Sequence, residues 1–251
     1  MMKGQVLAGF HAVAARLKRA PRSIEALYVA AGRHDGRMRR LLDGATDAGV
    51  RVLPVDEQRL RGLAGEVPHQ GVVAVCEAGE SKVAATLDDV LGKVGPGTLL
   101  LLLDGVTDPR NLGACLRTAD AAGAQAVIVP RDRSAAMSPV VAKAAAGAAE
   151  TVPLVAVTNL ARAMEELKQE GVWIAGAAGE AERSVYELDL TGPLGWALGA
   201  EGEGLRRLTR ERCDWLTRIP LQGTVDSLNV SVAAGVCLFE TQRQRAQAIA
   251  R

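Results

Sequence analysis

The run Leu99–Asp104 constrains the fold more than any other segment, because five consecutive leucines precede its closing aspartate. A strand without alternating polar residues is typical of a parallel sheet covered on both faces. Similar strand-like runs recur at Ala126–Pro130, Thr151–Val155, Val172–Gly176, Gly195–Gly199 and Trp215–Pro220. Stretches with helical spacing alternate with them, at Leu112–Ala122, Pro139–Ala148, Leu160–Gln169, Leu205–Glu211 and Leu228–Gln244. This alternation predicts an α/β domain with a largely parallel sheet and helices on both faces.

The chain before residue 80 has the pattern of a second, smaller α/β unit. Helices are predicted at Val6–Ala20, Gly36–Ala48 and Glu57–Ala64, and strands at Ile24–Ala30, Val50–Val55 and Val72–Cys76. The polar stretch Ala78–Lys82 and the Gly-Pro-Gly turn at 95–97 mark a change in composition. We therefore expect a first domain over residues 1–79, a linker over 80–97 and a second domain over 98–251.

Charge is spread unevenly along the 251 residues, whose formal net charge is +1. The first forty hold nine Lys or Arg and two acidic residues, which leaves −6 on the remainder. Such a basic front end is a candidate surface for a polyanion, with contacts expected from Arg37, Arg39 and Arg40. Solvated helix faces explain the charge equally well. Aromatic residues make up 3% of the chain, which argues against a surface that stacks bases on rows of rings.

Several function classes are disfavoured by what the sequence lacks. No apolar run approaches the roughly 20 residues of a membrane span, and the amphipathic N-terminal pattern has no apolar stretch typical of a secretory signal. Cys76, Cys115, Cys213 and Cys237 lie far apart, which favours buried thiols in a reducing cytoplasm over disulfides or a zinc site. The second domain contains no histidine for acid–base or nucleophilic chemistry. We expect neither a metal nor a membrane partner.

The first of three polar segments covers residues 104–118, where the leucine-rich strand gives way to a helix. Open α/β sheets bind ligands at such strand ends. Asn111 is predicted to cap this helix and leave free amides facing an anion, and Arg117 follows two helical turns onward. Taken alone, the segment favours a structural interpretation in which Asn111 is only a cap and Arg117 pairs with Asp120.

The second polar segment, residues 198–205, carries three glycines in six residues after a strand. Glycine permits close approach of the backbone to a ligand, but the GxxGxG spacing is not the GxGxxG of dinucleotide-binding folds. The carboxylates of Glu201 and Glu203 suit a cationic or hydroxyl-bearing ligand better than a pyrophosphate. A glycine-rich turn without any ligand fits the pattern equally well.

The third polar segment, residues 219–233, runs from a strand end into the last predicted helix. Ser227, Asn229 and Ser231 cluster at the helix start, where Ser227 alone would serve as a cap. The helix continues with apolar residues at Val232, Val236 and Phe239. Across the three segments the available side chains are Arg, Asn, Glu and Ser, which suit positioning and charge stabilisation better than covalent catalysis.

Taken together, the three segments resemble the signature motifs of the SpoU/TrmH class of SPOUT RNA methyltransferases. They read N-x-G-x-x-x-R-T at Asn111–Thr118, G-A-E-G-x-G at Gly199–Gly204 and I-P-x-x-G-x-x-x-S-L-N-V-S-V-A at Ile219–Ala233. Three further stretches resemble the branch that methylates a guanosine 2'-hydroxyl of bacterial 23S ribosomal RNA, at Gly9–Val13, His69–Val72 and Ala144–Pro153. The resemblance covers essentially the whole chain.

This resemblance implies a fold, a cofactor and a set of functional residues. The fold is a small N-terminal L30e-like α/β domain followed by a SPOUT domain tied in a deep trefoil knot, which general topology rules would not suggest. The cofactor is S-adenosylmethionine, in contact with the backbone at Gly199, Ile219 and Leu228. The family's functional polar positions fall on Asn111, Arg117, Glu201, Ser227 and Asn229. Contacts with RNA are expected from Arg37, Arg39, Arg40 and Arg110. Family members are homodimers whose C-terminal helices help to form the interface.

The expected reaction is methylation of the ribose 2'-hydroxyl of a guanosine in 23S ribosomal RNA. One alternative is an enzyme of the same class that acts on tRNA or on another ribosomal site, although minimal tRNA members lack a domain like residues 1–79. Another is a non-catalytic RNA-binding assembly factor, against which the intact polar positions argue. The sequence has no GxGxxG motif, which argues against a nicotinamide-dependent oxidoreductase.

Overall fold

The computed structural model describes residues 5–65, 67–76 and 86–249, which form two compact units. The first unit combines the described residues up to 76 with the short segment Ala146–Thr151, and the second holds the rest. Part of the predicted linker, residues 80–85, lies outside the described residues. The remainder, 86–97, belongs to the second unit, where Val90 packs into the hydrophobic core.

The described part of the first unit contains a four-stranded mixed sheet, three α-helices and two short 3-10 helices, at Pro21–Ser23 and Ala148–Glu150. The strands are β1 (Gln5–Ala8), β2 (Ile24–Ala30), β3 (Val52–Val55) and β4 (Val72–Cys76). The helices are α1 (Phe10–Arg19), α2 (Gly36–Asp47) and α3 (Glu57–Ala64). In the order β1-β4-β2-β3, β2 and β3 are parallel, and the other neighbours are antiparallel. The prediction of a small α/β unit is confirmed.

The predicted helix over Val6–Ala20 is wrong at its start. Gln5–Ala8 forms β1, which pairs with β4 so that Gln5 lies opposite Cys76. Gly9 has a φ of 93°, a backbone conformation natural for glycine, and separates the strand from α1. Pairing with a strand nearly seventy residues away therefore overrides the local helical spacing.

The second unit contains a seven-stranded sheet in which every neighbouring pair is parallel. Its strands are β5 (Leu99–Asp104), β6 (Ala126–Pro130), β7 (Leu154–Val157), β8 (Trp173–Ala177), β9 (Arg183–Ser184), β10 (Leu194–Gly199) and β11 (Trp215–Arg218). Its helices are α4 (Leu87–Leu91), α5 (Pro109–Ala121), α6 (Pro139–Ala144), α7 (Leu160–Gln169), α8 (Arg207–Arg212) and α9 (Val230–Ile249). The prediction of a parallel α/β fold is confirmed, while the trefoil knot stays a prediction of the resemblance.

Two predicted elements around Ala145 are misplaced. The helix expected over Pro139–Ala148 ends at Ala144, and a 3-10 turn follows over Ala148–Glu150. The strand expected over Thr151–Val155 begins at Leu154, because the chain up to Thr151 packs with the first unit. The two-residue strand β9 was not predicted, since two residues show no periodicity.

The core of the second unit centres on β5, whose five leucines are all fully buried. Helix α9 is attached to this sheet through specific hydrogen bonds as well as apolar contacts. The indole Nε1 of Trp196 on β10 donates to Thr241 Oγ1 at 2.9 Å in the buried interior. Arg245 donates to the carbonyl oxygens of Thr98 and Gly192 at 2.9 Å and 2.6 Å. These contacts fix the far end of α9, so that its first turn has a defined position at the sheet edge.

The cysteines behave largely as predicted. All four thiols are free; three are buried and Cys213 is half-buried. Burial raises the pKa of the Cys76 thiol to about 11 and that of Cys115 to about 12.

None of the described helices is both long and apolar enough to span a bilayer.

Candidate functional site

The candidate site lies at the carboxyl edge of the parallel sheet, where β5 and β10 end side by side. Asp104 and Gly199, the last residues of these strands, are partners in the parallel pairing. The loop after β5 leads into α5, and the segment after β10 is the glycine-rich motif. Because parallel strands present their carboxyl ends at one edge, two motifs far apart in sequence meet here.

Glycine is required at the end of β10 because the following residues fold back onto it. A Cβ atom at Gly199 would overlap the backbone of Gly204 and Leu205. An isolated antiparallel bridge between Ala200 and Gly204 closes this hairpin-like turn. We call residues 199–204 the glycine loop.

A buried ion pair anchors the chain just after the glycine loop. The side chain of Asp104 is fully buried and accepts hydrogen bonds from the backbone N–H of Arg206 at 2.9 Å and from its Nε at 2.5 Å. We did not single out this pair from the sequence. The signal was a lone carboxylate closing an otherwise apolar strand, which requires a partner if it is buried.

Three of the predicted polar residues form one hydrogen-bonded cluster, which we call the amide–carboxylate cluster. Asn229 Nδ2 donates to Glu201 Oε1 at 2.6 Å and to Asn111 Oδ1 at 2.9 Å. Asn111 Nδ2 donates to the same Glu201 oxygen at 3.2 Å. Within the described part of the chain, no group bonds the second oxygen of Glu201. The cluster therefore presents one free carboxylate oxygen, held in place by two amides.

The structure corrects the predicted helix caps on both sides of this cluster. Asp108, not Asn111, caps α5, because its carboxylate accepts from the backbone N–H of Arg110 at 2.7 Å. Asn229, not Ser227, precedes α9, and its Oδ1 accepts from the backbone N–H and Oγ of Ser231 at 3.0 Å and 2.6 Å. Asn111 is thus free to bond across the site, and Ser231 orients the Asn229 amide.

A cavity of about 700 Å³ lies beside the glycine loop. The three residues predicted to bind a cofactor, Gly199, Ile219 and Leu228, all line it, as do Ser227 and Glu201. Its acidic lining residues are Glu180, Glu201, Glu203 and Asp226. Among the described residues that form the lining, Arg210 is the one cation, and it is paired with Glu180. This negative lining fits a cationic ligand with hydroxyl groups and repels a pyrophosphate.

The predicted arginines lie outside both the amide–carboxylate cluster and this cavity. Arg117 is exposed on α5, about 9 Å along the helix axis from Asn111. Seven residues separate it from Arg110, which is also exposed, so the two share one stripe of the helix. Neither Arg117 nor Ser227 hydrogen-bonds to Asn111, Glu201 or Asn229.

The first unit carries a basic cluster around Phe10, a buried ring. Arg33 and Arg37 each place a guanidinium carbon 4.8 Å from the ring centroid. Arg37 Nη2 also donates to His11 Nε2 at 2.8 Å, and Arg33 donates to the carbonyl of Gln70. Arg37 was predicted as an RNA contact, whereas Arg33 was missed because it stands apart from the basic run on α2. Arg39 and Arg40 are exposed on the same helix.

Among the described residues, no three His, Cys, Asp or Glu side chains come together in an arrangement that holds a metal ion. The side chains that meet at the amide–carboxylate cluster are two amides and one carboxylate, which supply hydrogen bonds and a placed negative charge. Such groups align reactants and stabilise developing charge.

Comparison with known proteins identifies the family. The model of the SpoU rRNA Methylase family matches residues 98–239. The model described as RNA 2'-O ribose methyltransferase substrate binding matches residues 6–81. A 23S rRNA (guanosine-2'-O-)-methyltransferase RlmB from Ralstonia nicotianae is 58% identical over 245 residues, which cover 98% of each chain.

Solved structures agree with this assignment. The crystal structure of an RNA 2'-O ribose methyltransferase matches with a TM-score of 0.79 at 28% identity, over 98% of this chain and 90% of that one. The SpoU methyltransferase AviRb from Streptomyces viridochromogenes, in complex with the cofactor AdoMet, matches with a TM-score of 0.76 at 25% identity. That match covers 98% of this chain and 92% of AviRb.

These matches confirm the resemblance predicted from the three motifs. The methylase family model alone spans more than half of the chain, and the relative from Ralstonia matches nearly all of it. The chain therefore belongs to the SpoU rRNA methylase family.

Proposed function

We propose that this protein transfers a methyl group from S-adenosylmethionine to the ribose 2'-hydroxyl of a guanosine in 23S ribosomal RNA. The position of Glu201 carries the proposal, because this residue lines the cavity and also belongs to the amide–carboxylate cluster. A methyl donor in the cavity and a ribose at the cluster would meet at one carboxylate. The substrate is taken from the relative in Ralstonia, which is named for this reaction.

The cavity fits S-adenosylmethionine on chemical grounds. When bound, this cofactor supplies a methyl group on a positively charged sulfonium. Four carboxylates in the lining complement a cationic molecule. Gly199, Gly202 and Gly204 of the glycine loop also line the cavity, and without side chains they let the backbone approach the ligand closely. Backbone at Gly199, Ile219 and Leu228 is proposed to hold the cofactor.

The protein's own residues position the acceptor ribose. Asn111 and Asn229 occupy one oxygen of Glu201, and its other oxygen accepts a hydrogen bond from the 2'-hydroxyl. This contact directs an oxygen lone pair toward the cavity, as in-line transfer requires. Ser227, in the cavity lining, adds a second hydroxyl contact. Arg117, which lies outside the cluster, binds an RNA phosphate. The proton of the 2'-hydroxyl passes to the Glu201 carboxylate that accepts its hydrogen bond, and from there to phosphate or solvent.

We propose that RNA binding belongs to the first domain, predicted over residues 1–79, and methyl transfer to the second, predicted over 98–251. Of the linker predicted over 80–97, residues 86–97 belong to the second unit. Phosphate contacts are proposed for Arg37, Arg39, Arg40 and Arg110, all of them exposed. Each phosphate that is neutralised adds affinity that falls with salt concentration. We propose a cytoplasmic location, because the proposed substrate is ribosomal RNA.

A transfer assay with Asn229→Ala tests the proposed reaction. Wild-type protein should move tritiated methyl groups from S-adenosylmethionine to ribose 2'-oxygens of 23S RNA. Asn229→Ala should lower kcat/KM by about 100-fold, because Glu201 loses its shortest hydrogen bond and its position. Gln247→Ala, at the far end of the same helix, is the matched control and should keep wild-type activity. Cofactor binding without methyl transfer to any RNA would favour the non-catalytic assembly factor.

We further propose a homodimer formed through α9. Val232, Val236 and Phe239 recur on one side of the helix, yet Val232 and Phe239 are 51% and 50% exposed. The buried side of α9 is formed by other residues, including Ala234 and Leu238. An apolar stripe that faces away from its own core is typical of a subunit interface.

Phe239→Glu should weaken this dimer, because the interface would have to bury a charge without a partner. The dimer Kd measured by sedimentation equilibrium should rise by at least about 30-fold, which corresponds to about 2 kcal/mol. Val6→Glu, at a half-exposed apolar position of the first unit, should leave the dimer intact. A wild-type protein that sediments as a monomer at micromolar concentration would contradict the proposal.

A further inference from the structure

A second cavity, of about 440 Å³, lies at the carboxyl ends of β6 and β7. None of its lining residues belongs to the cavity beside the glycine loop. Among its lining residues, Arg133, Arg206 and Arg207 are basic and Asp132 is acidic. The first cavity is acidic, so the two differ in the sign of their charge and suit different ligands.

The guanidinium groups of this basic cavity are only partly neutralised. Arg206 is held by Asp104, whose carboxylate is fully buried beneath it, while the Arg206 side chain stays 39% exposed. Arg207 pairs with Glu211 in an exposed contact one helical turn away, which contributes little to binding energy. Within the described residues, Arg133 has neither a hydrogen bond nor an ion pair. Within the described residues, the lining therefore includes one arginine without a partner, Arg133, and one whose ion pair is exposed and weak, Arg207.

Arg133 also has an unusual backbone. Its φ is 57°, in the left-handed region that residues other than glycine adopt infrequently. Two bonds to the carbonyl of Val106 hold this loop, from the backbone N–H of Ala135 at 2.9 Å and from Ser134 Oγ at 3.3 Å. A residue other than glycine in this conformation lowers the free energy of unfolding by about 1 kcal/mol or more, and such residues are concentrated at ligand sites.

The basic cavity is close to the amide–carboxylate cluster. A Cβ atom at Gly105 would lie 3.8 Å from Ala200 of the glycine loop and 4.0 Å from the carbonyl oxygen of Arg133. Gly105 itself lies on the loop that leads from β5 to the helix of Asn111. An RNA strand with its ribose at the cluster would therefore have a neighbouring phosphate within reach of Arg133.

We propose that the basic cavity binds a phosphodiester group of the substrate RNA next to the nucleotide that is methylated, with Arg133 and Arg207 as its ligands. Planar guanidinium groups bind phosphate through two parallel hydrogen bonds. The first turn of α7 adds support, because Leu160 and Ala161 line the same cavity. This inference rests on the proposed function and extends it to a specific contact with the RNA backbone.

The test compares a double variant, Arg133→Asn with Arg207→Gln, with the wild-type protein. Asparagine tolerates the left-handed backbone at position 133, so that strain is not altered. The Kd for a 23S RNA transcript should rise by roughly 10-fold near 0.1 M salt, and the slope of log K against log salt should fall by about 1 to 2. KM for RNA should rise with kcat nearly unchanged, and the Kd for S-adenosylmethionine should not change.

Arg162→Gln is the matched control, since Arg162 is an exposed arginine on α7 that pairs with Glu166 outside the cavity lining. It should leave RNA affinity and its salt slope unchanged. A double variant with wild-type affinity and slope would overturn the phosphate site and leave the proposed function intact. If the wild-type protein neither binds nor methylates the RNA, both the phosphate site and the proposed function are wrong. Loss of S-adenosylmethionine binding in the double variant would show that the arginines are structural and would also overturn the site.

Discussion

Gly199→Ala is expected to weaken binding of S-adenosylmethionine strongly. The new methyl group would overlap the backbone of Gly204 and Leu205, neither of which can move aside as a flexible side chain does. The glycine loop would have to open, and Glu201 would leave the amide–carboxylate cluster with it. Overpacking of this kind costs about 3 kcal/mol or more, so that affinity measured by titration calorimetry should fall by at least about 100-fold.

Gly223→Ala serves as the control for this substitution. Gly223 lies in the segment that carries the third motif, and a Cβ atom there meets nothing within 4 Å. Alanine at 223 should therefore bind the cofactor with wild-type affinity. If Gly199→Ala bound S-adenosylmethionine as tightly as Gly223→Ala, the cofactor would not depend on the closed glycine loop.

Glu150→Ala is expected to lower the stability of the first unit by about 3 to 5 kcal/mol. Glu150 forms an ion pair with Arg16, whose Nε donates to it at 2.7 Å, and both side chains are only 10% exposed. Removal of the carboxylate would take the Glu150 ion pair away from a buried guanidinium, which would keep its hydrogen bond to Ser23. Thermal unfolding followed by circular dichroism should show a transition lowered by roughly 10 °C or more.

Two further variants test whether the loss of stability comes from leaving one buried charge of this pair behind. Glu166→Ala removes an exposed partner of Arg162 and should cost at most about 0.5 kcal/mol. The double variant Arg16→Met with Glu150→Leu removes both buried charges and should be markedly more stable than Glu150→Ala alone. Equal melting temperatures for Glu150→Ala and Glu166→Ala would contradict the assignment of a buried, stabilising pair.

Local sequence patterns located many elements because their periodicity is strong. Ile24–Ala30, Ala126–Pro130, Glu57–Ala64 and Leu160–Gln169 have the bounds expected from the sequence. The patterns were wrong where partners distant in sequence decide the structure. Gln5–Ala8 is a strand because β4 lies beside it, and no property of its own residues opposes a helix.

In the candidate site, too, some features follow from local sequence and others depend on contacts between distant residues. The family resemblance predicted Asn111, Glu201 and Asn229 as functional polar residues, and the structure brings their side chains together. Their hydrogen bonds join residues up to 118 positions apart, which no spacing rule describes. Local propensity also favoured the wrong caps, because Asn and Ser suit a helix start equally well. Only the contact across the site shows that Asn111 bonds Glu201 instead.

The sequence by itself determined the α/β class, the basic front end, the family and the three motifs, because these properties depend on residue type and short-range order. Tertiary structure alone decided that Glu201 belongs to both the cavity and the amide–carboxylate cluster, and that Arg117 lies outside that cluster. It also placed Arg133 in a second cavity of opposite charge. The physical reason is that a parallel sheet brings loops from distant strands to one edge, where hydrogen bonds and charges act over a few ångströms.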